Sequence, residues 1–204
     1  NSQYPYITQV GKPSGLMYGF IYEGTYKPAE FNNGVALKDG VAYMASVGRD
    51  KVRPGDPKYR DINKDGVIDD NDRTVIGCGQ PLHTGGFGNT FNFYGFDVNV
   101  FFSWSYGNDV LNANRLFFES GMKTNTNQLK SYVHRYRPGI NETSDIPRVQ
   151  ANGMDVYSSR VVEDASFLRL KNITVGYTLP RKTLRKMHFD TMRVYVSGEN
   201  LWTL

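Results

Sequence analysis

Along four stretches of the chain, apolar and polar residues alternate with a period of two. In residues 84–94, Phe87, Phe91 and Phe93 face one way and Gly88, Thr90 and Asn92 the other. Gly95 then marks a turn. In the next stretch Phe96, Val98, Val100, Phe102, Trp104 and Tyr106 share one face. Asp97, Asn99, Ser103 and Ser105 share the other, with Phe101 the exception. A period of two is the signature of a strand with two unlike faces. Two such runs around a tight turn predict a hairpin. In residues 166–179, Ile173, Val175, Tyr177 and Leu179 alternate with Asn172, Thr174, Gly176 and Thr178. In residues 192–202, Met192, Val194, Val196 and Trp202 oppose Arg193, Tyr195, Ser197 and Glu199. The run from Phe96 to Tyr106 is close to the ~9–11 residues that a tilted strand needs to cross a bilayer.

The other stretches are less regular. Residues 16–26 are aromatic and β-prone and predict one or two strands. Residues 27–60, rich in Gly, Pro and charge, read as an irregular connection with short β pieces. Residues 107–165 are too long for a hairpin. Within them, 108–119 predicts a short helix, and Leu129, Tyr132, Val133 and Tyr136 predict another over 128–136. Pro138, Gly139, Pro147 and Gly153 make 137–165 a loop. Pro180–Lys186 is a basic linker with room for one helical turn.

The fold class is therefore all-β and antiparallel. A soluble sandwich strand also alternates. The long aromatic stripe opposite Asn, Ser and Gly favours the wall of a transmembrane β-barrel, where the stripe meets lipid and the small polar residues meet a wet lumen. Long connections on one side and short turns on the other also suit a barrel, and they put the 107–165 loop on the extracellular side. Composition agrees, with 21 Gly, 14 Tyr, 12 Phe and 14% aromatic residues. The +4 net charge is interspersed rather than clustered, which argues against a nucleic-acid partner. Cys78 is the lone cysteine, so no intrachain disulfide can form. No run of 18 apolar residues predicts a transmembrane helix. The chain opens on Asn1-Ser2-Gln3 and closes inside a strand-like segment, so it reads as a piece of a longer protein.

One segment carries metal-site spacing. Asp61-Ile62-Asn63-Lys64-Asp65-Gly66-Val67-Ile68-Asp69-Asp70-Asn71-Asp72 matches D-x-[DN]-x-[DN]-G in its first six places. Asp61, Asn63 and Asp65 would offer side-chain oxygens to a structural Ca²⁺, Val67 its carbonyl, and Asp69 and Asp72 the remainder. Ile68 would anchor the loop to a core. Position 12 is Asp, as in dockerin-like loops, rather than the bidentate Glu of a helix–loop–helix site. The plainer alternative is an acidic turn capping its own backbone N–H groups.

These blocks resemble the SusC/RagA family. The resemblance rests on Pro54-Gly55-Asp56-Pro57-Lys58-Tyr59-Arg60 running into the 61–72 loop and Arg73-Thr74-Val75-Ile76-Gly77. It continues through Tyr94-Gly95-Phe96-Asp97-Val98, Gly107-Asn108-Asp109, Val162–Tyr177 and Val194–Leu201, in the family's order. The resemblance implies that residues 1–204 are the C-terminal barrel portion of a TonB-dependent importer from the outer membrane of a Bacteroidetes-like Gram-negative bacterium. It further implies a SusD-like lipoprotein as lid, TonB acting through a plug that lies outside this stretch, and oligosaccharide cargo, with peptides for the RagA branch.

Other chemistry is weak. His83, His134 and His188 stand apart, and the pairs Asp69-Asp70 and Glu163-Asp164 point to opposite faces if extended. No nucleophile–base pair stands out, so an enzyme is not expected. Tyr106, Phe117, Phe118, Tyr132 and Tyr136 are candidates for stacking on a ligand or partner, against the plainer role of packing within the loop. The alternative function is a soluble calcium-stabilised β module that binds carbohydrate. It would bury the aromatic stripe, and a dockerin-type module would repeat the calcium loop, which this chain does not.

Overall fold

The computed structural model describes residues 4–121, 126–186 and 188–204. Fifteen strands follow in order: β1 (Tyr6–Ile7), β2 (Leu16–Gly19), β3 (Tyr22–Thr25), β4 (Phe31–Asn32), β5 (Ala36–Leu37), β6 (Tyr43–Met44), β7 (Pro57–Tyr59), β8 (Val67–Ile68), β9 (Thr74–Cys78), β10 (His83–Phe93), β11 (Phe96–Tyr106), β12 (Asp109–Leu111), β13 (Val162–Asp164), β14 (Phe167–Thr178) and β15 (Arg193–Thr203). Two short helices are α1 (Asn114–Phe118) and α2 (Arg181–Lys186). The chain divides into two compact units, residues 1–80 with 109–163, and residues 81–108 with 164–204.

The second unit is an open antiparallel sheet in the order β10-β11-β14-β15. Its strands run 11, 11, 12 and 11 residues, within a residue or two of the four alternating stretches. The β10–β11 turn is two residues long. Tyr94 (φ 49°) and Gly95 (φ 88°) are both left-handed, as the twist of a two-residue hairpin demands. A Cβ on Gly95 would also stand 2.9 Å from the Thr178 carbonyl oxygen. Register is continuous from Phe93↔Phe96 to His83↔Tyr106. The described residues form an open sheet, and no closed barrel is present among them.

The first unit is built from short strands around two clusters of side chains. Phe20, Met44, Tyr59, Ile68 and Val156 form one. Tyr26, Phe31, Leu37 and Val52 form the other. Ile68 is 1% exposed, so the apolar residue of the 61–72 loop does anchor it to a core. The expectation of antiparallel pairing fails at two places among the described residues, one of them an isolated parallel bridge between Phe20 and Ser158. β6 and β8 pair in parallel through Tyr43↔Val67 and Met44↔Ile68, because the loop folds back beside β6.

Two helix expectations are corrected. Residues 108–119 open with β12, and only Asn114–Phe118 is helical. Tertiary bonds take the opening residues out of the helix. The Cys78 N–H donates to the Asp109 carboxylate at 2.8 Å, the Asn112 N–H donates to the Val161 carbonyl at 2.7 Å, and β12 pairs with β13. Residues 128–136 form only a 3₁₀ turn over Lys130–His134. The Tyr136 N–H there turns to the Ile146 carbonyl at 2.8 Å. β13 is likewise a strand inside the expected loop 137–165.

Most of the 107–165 connection thus packs as a body with residues 1–80. Asp56 ties it there, and Glu119 cross-links the connection to itself. Asp56, 1% exposed, accepts from Arg148 Nε at 2.7 Å and from the Arg53 and Asn152 N–H groups at 2.9 and 3.2 Å. Glu119, also 1% exposed, accepts from Arg160 Nη2 at 2.9 Å, Arg115 Nε at 3.1 Å and Ser131 Oγ. A buried carboxylate needs such partners to stay charged.

Candidate functional site

Alternation along the four long strands sorts the sheet into two chemically distinct faces. Cross-strand partners carry each face from strand to strand. On one face Phe91 pairs with Val98, Val98 with Val175 and Val175 with Val196. Phe102, Trp104, Leu168, Leu170, Ile173 and Trp202 extend it. This face is apolar and bare, with Phe87 at 56%, Val196 at 75% and Trp202 at 47% exposure. Aromatic rings gather at its ends. Beside the tight turn, Phe96 lies 5.7 Å from Phe93 and 4.6 Å from Tyr177. At the far end Trp104 Nε1 donates to His83 Nδ1 at 3.1 Å, and His83 stacks on Tyr106 at 5.2 Å. The histidine that spacing left without a partner is thus part of an aromatic cluster, brought there by strand register.

The opposite face is polar. Asn99 Nδ2 donates to Thr90 Oγ1 at 2.9 Å. Arg193 on β15 reaches over Gly176 on β14 to Asp97 on β11, donating from Nε to Oδ1 at 3.0 Å and from Nη2 to Oδ2. Phe101 is the one aromatic side chain of β11 on this face. It lies across β10, where Gly86 and Gly88 leave room. A Cβ on Gly86 would meet Phe101 Cζ at 2.7 Å, and one on Gly88 would meet Cδ2 at 3.1 Å. A phenyl ring covering cross-strand glycines offsets their weak strand propensity. Gly86 and Gly88 thus lie beneath the Phe101 ring. Gly85 on the other face is roofed by Trp104 in the same way.

The 61–72 loop turns its acidic side chains onto its own backbone. Asp61 accepts from the Lys64 and Gly66 N–H groups at 2.6 and 2.8 Å, Asn63 from Asp65 at 3.0 Å, and Asp65 from Val67 at 2.8 Å. Asp69 caps Asn71 at 2.8 Å. Asp72 has no exposed surface. It accepts from Ile62 and Asn63 at 2.7 and 3.3 Å and from Asp69 at 2.9 Å. Among the described residues no three His, Cys, Asp or Glu side chains stand close enough together to hold a metal ion. Asp72 Oδ1 accepts two of these bonds, and each of the other carboxylate oxygens keeps a further lone pair.

The aromatic candidates separate by burial. Tyr132 and Tyr136 are 4% and 2% exposed, and Tyr136 packs against Gly55, where a Cβ would meet its ring at 2.3 Å. Both pack within their unit and present no free ring face. Phe117 and Phe118 on α1 and Tyr106 at the end of β11 remain exposed. Helical spacing put Tyr132 and Tyr136 on one side, but it could not show that both are buried, Tyr132 within the 3₁₀ turn and Tyr136 beyond its end at His134.

The sheet is amphipathic, with strands of 11 or 12 residues and one exposed apolar face. No protein-family model matches the chain. Curated relatives do. It is 35% identical over 197 residues to TonB-dependent receptor P3 of Formosa agariphila, covering 97% of this chain and 18% of that receptor. It is 31% identical over 199 residues to TonB-dependent receptor P26 of the same organism, covering 94% of this chain and 18% of that receptor. The RagAB peptide transporter matches in fold with a TM-score of 0.74 at 22% identity, over 98% of this chain and 20% of that one. The same importer in its open-open state matches with a TM-score of 0.70 at 23% identity, over 99% of this chain and 20% of that one. The chain therefore spans about a fifth of the length of the proteins it resembles. It belongs to the TonB-dependent receptors. In fold it corresponds to a stretch of the RagAB peptide transporter, and the curated relatives bear the name of receptors.

Proposed function

We propose that this chain contributes four adjacent strands to the wall of an outer-membrane, TonB-dependent nutrient importer. The observation that carries the reading is the bare apolar face opposite a hydrogen-bonded polar one, on strands of 11 or 12 residues. A soluble module would cover Phe87, Val196 and Trp202. A barrel wall presents them to lipid. On this reading β10, β11, β14 and β15 cross the bilayer. The turn Tyr94-Gly95 and the α2 segment then lie on the periplasmic side, and the β11–β14 connection leaves the sheet on the extracellular side.

The cargo under this proposal is an oligosaccharide, delivered with a SusD-like lipoprotein and with TonB supplying the energy through a plug. The RagAB comparison favours a second reading, in which the cargo is a peptide.

The test is single-cysteine labelling of the whole receptor in outer membranes, on a Cys78→Ser background. Cysteines at Val98 and Val175 should resist a membrane-impermeant maleimide, while those at Asn99 and Thr174 should react once the lumen is open. Equal labelling of both faces would overturn the barrel reading.

We further propose that the 61–72 loop holds a structural Ca²⁺. Its support is the spacing of Asp61, Asn63, Asp65, Val67, Asp69 and Asp72, together with the left-handed Gly66 (φ 86°) at the sharp turn. Binding would exchange some of the capping bonds for oxygen–metal bonds. The ion would brace the loop over Ile68 and take no part in chemistry.

A further inference from the structure

At the end of the sheet away from the Tyr94-Gly95 turn, the apolar face contains a depression of about 440 Å³, lined chiefly by His83, Trp104, Tyr106, Phe167, Leu168 and Leu204. Strand register assembles it. Trp104 stands opposite Gly85 on one side and Leu168 on the other, and His83 stands opposite Tyr106. Leu168 and Leu204 exchange backbone hydrogen bonds at 3.2 and 2.9 Å. The indole lies over β10 because Gly85 has no Cβ to hold it off; one there would stand 2.3 Å from Trp104 Cζ2. The space over Leu168 and Leu204, on the other side of Trp104, stays open.

The depression hides its own polar atoms. Trp104 Nε1 donates to His83 Nδ1 at 3.1 Å. Two serines beside it are engaged as well. Ser105 Oγ donates to Asn108 Oδ1 at 2.7 Å, and Ser166 Oγ accepts from the Gly107 N–H at 2.9 Å. Among the described residues no Asp, Glu, Lys or Arg side chain lines it. All these bonds lie within one compact unit, so they do not depend on what else the receptor contains. Tryptophans at a membrane interface ordinarily turn the indole N–H toward water; Trp104 directs it to His83 and presents hydrocarbon edge instead. A sugar, a peptide or a lipid headgroup would leave its own polar groups unpaired here. A flexible hydrocarbon chain loses no hydrogen bond on entering, and it gains contact with an indole that Gly85 and His83 already hold in place.

We propose that this depression seats one acyl chain of an outer-leaflet lipid against Trp104, Leu168 and Leu204, with Tyr106 level with the lipid's ester group. The inference rests on the wall reading and adds a bound partner and its place. On that reading neighbouring strands pair with the free edges of β10 and β15, in the plane of the sheet, and lie beside this face instead of over it. The end away from Tyr94-Gly95 is then the extracellular one, which assigns the chain to the outer leaflet. General contact with a bilayer holds no chain in preference to its surroundings; a seat does.

The experiment follows indole fluorescence of the full-length receptor in CHAPS micelles, whose rigid steroid rings offer no flexible chain. The probe is phosphatidylcholine brominated near the carboxyl end of its acyl chains, since bromine quenches an indole that it touches. Difference spectra against Trp104→Phe and Trp202→Phe isolate the two emissions. Trp202 is the internal control, because it lies on the same apolar face, exposed and paired with Leu170, outside the depression. The expected result is saturable quenching of Trp104 at about a tenfold lower lipid fraction than Trp202 requires. Leu168→Phe, which fills the seat, should move the Trp104 curve onto that of Trp202 and leave the Trp202 curve unchanged. Quenching of Trp202 alone, or of both indoles in proportion to the lipid in the micelle, overturns the seat and leaves the wall reading intact. Quenching of neither, even in micelles made mostly of lipid, overturns both.

Discussion

Arg193 and Asp97 meet over Gly176, across the full width of the intervening strand. Glycine is the residue that permits it, since a Cβ there would stand 2.5 Å from Arg193 Nη2 and 2.6 Å from both carboxylate oxygens of Asp97. Gly176→Ala should therefore break the pair by displacing two flexible side chains rather than the backbone. The expected outcome is a small drop in the thermal midpoint of the folded receptor, equal within error to that of Asp97→Asn. The double variant should lose no more than either single one. A double-mutant cycle reads that coupling directly, and simple additivity would sink the relationship.

Glu119 is a different kind of ionic group, because it is buried with Arg160 and Arg115 around it. Removing its charge leaves Arg160, whose side chain is 8% exposed, without compensation. Glu119→Gln should cost about 3–5 kcal/mol. The exposed Arg60–Glu23 pair at 2.7 Å should cost under about 1 kcal/mol when Glu23 becomes Gln. Chemical denaturation of both variants checks the contrast. Similar losses would mean that burial does not set the scale here.

Asp72 holds three backbone N–H groups with no exposed surface of its own. Asp72→Ala leaves those donors unpaired and should destabilise by on the order of 3 kcal/mol. Denaturation in the presence of a chelator measures this term without any ion.

Calcium is tested at a different residue. Millimolar CaCl₂ should raise the parent's thermal midpoint relative to chelator, and Asp65→Ala should remove the increment while leaving the chelated midpoint nearly unchanged. A parent that shows no response to Ca²⁺ contradicts the ion and leaves the loop as a self-capped turn.

Three phenols in the first unit are locked by burial. Tyr59 donates to the Gly153 carbonyl at 2.8 Å, Tyr26 to the Ala42 carbonyl at 2.7 Å and Tyr22 to the Asp145 carbonyl. Desolvation by burial is the main cause that drives all three above the ordinary tyrosine range. The native state keeps these protons after the unfolded chain loses them near pH ~10. Stability is therefore whole below that pH and falls as pH rises above it. Tyrosinate absorbance should show a late class of phenols that ionise only as the unit unfolds. Smooth titration of all tyrosines before unfolding would contradict the burial.

Particular residues show how far the sequence reaches. The four long strands were legible because within each strand, as from Phe96 to Tyr106 and from Ile173 to Tyr177, every second residue reports on one face, and a period of two needs no knowledge of partners. Family membership was legible in ordered blocks such as 54–77 and 162–177, and the relatives agree with it. The body formed by residues 1–80 with 109–163 was not legible. It depends on bonds such as Asn112 to Val161 and Arg148 to Asp56, between residues far apart in the chain, which leave no local period. The same holds for His83 beside Trp104, for the buried Tyr132 and Tyr136, and for the register slips that β14 makes around Lys171 against both of its neighbours.

The sequence by itself determined which residues alternate, where the tight turn at Gly95 must fall and which family the chain joins, because strand period and turn chemistry are local properties. Tertiary structure alone decided which strands are neighbours, where the bulges lie, and that most of the long connection packs as a body instead of standing as a loop. Those outcomes depend on partners distant in sequence, and pairing energy exists only once the chain has folded.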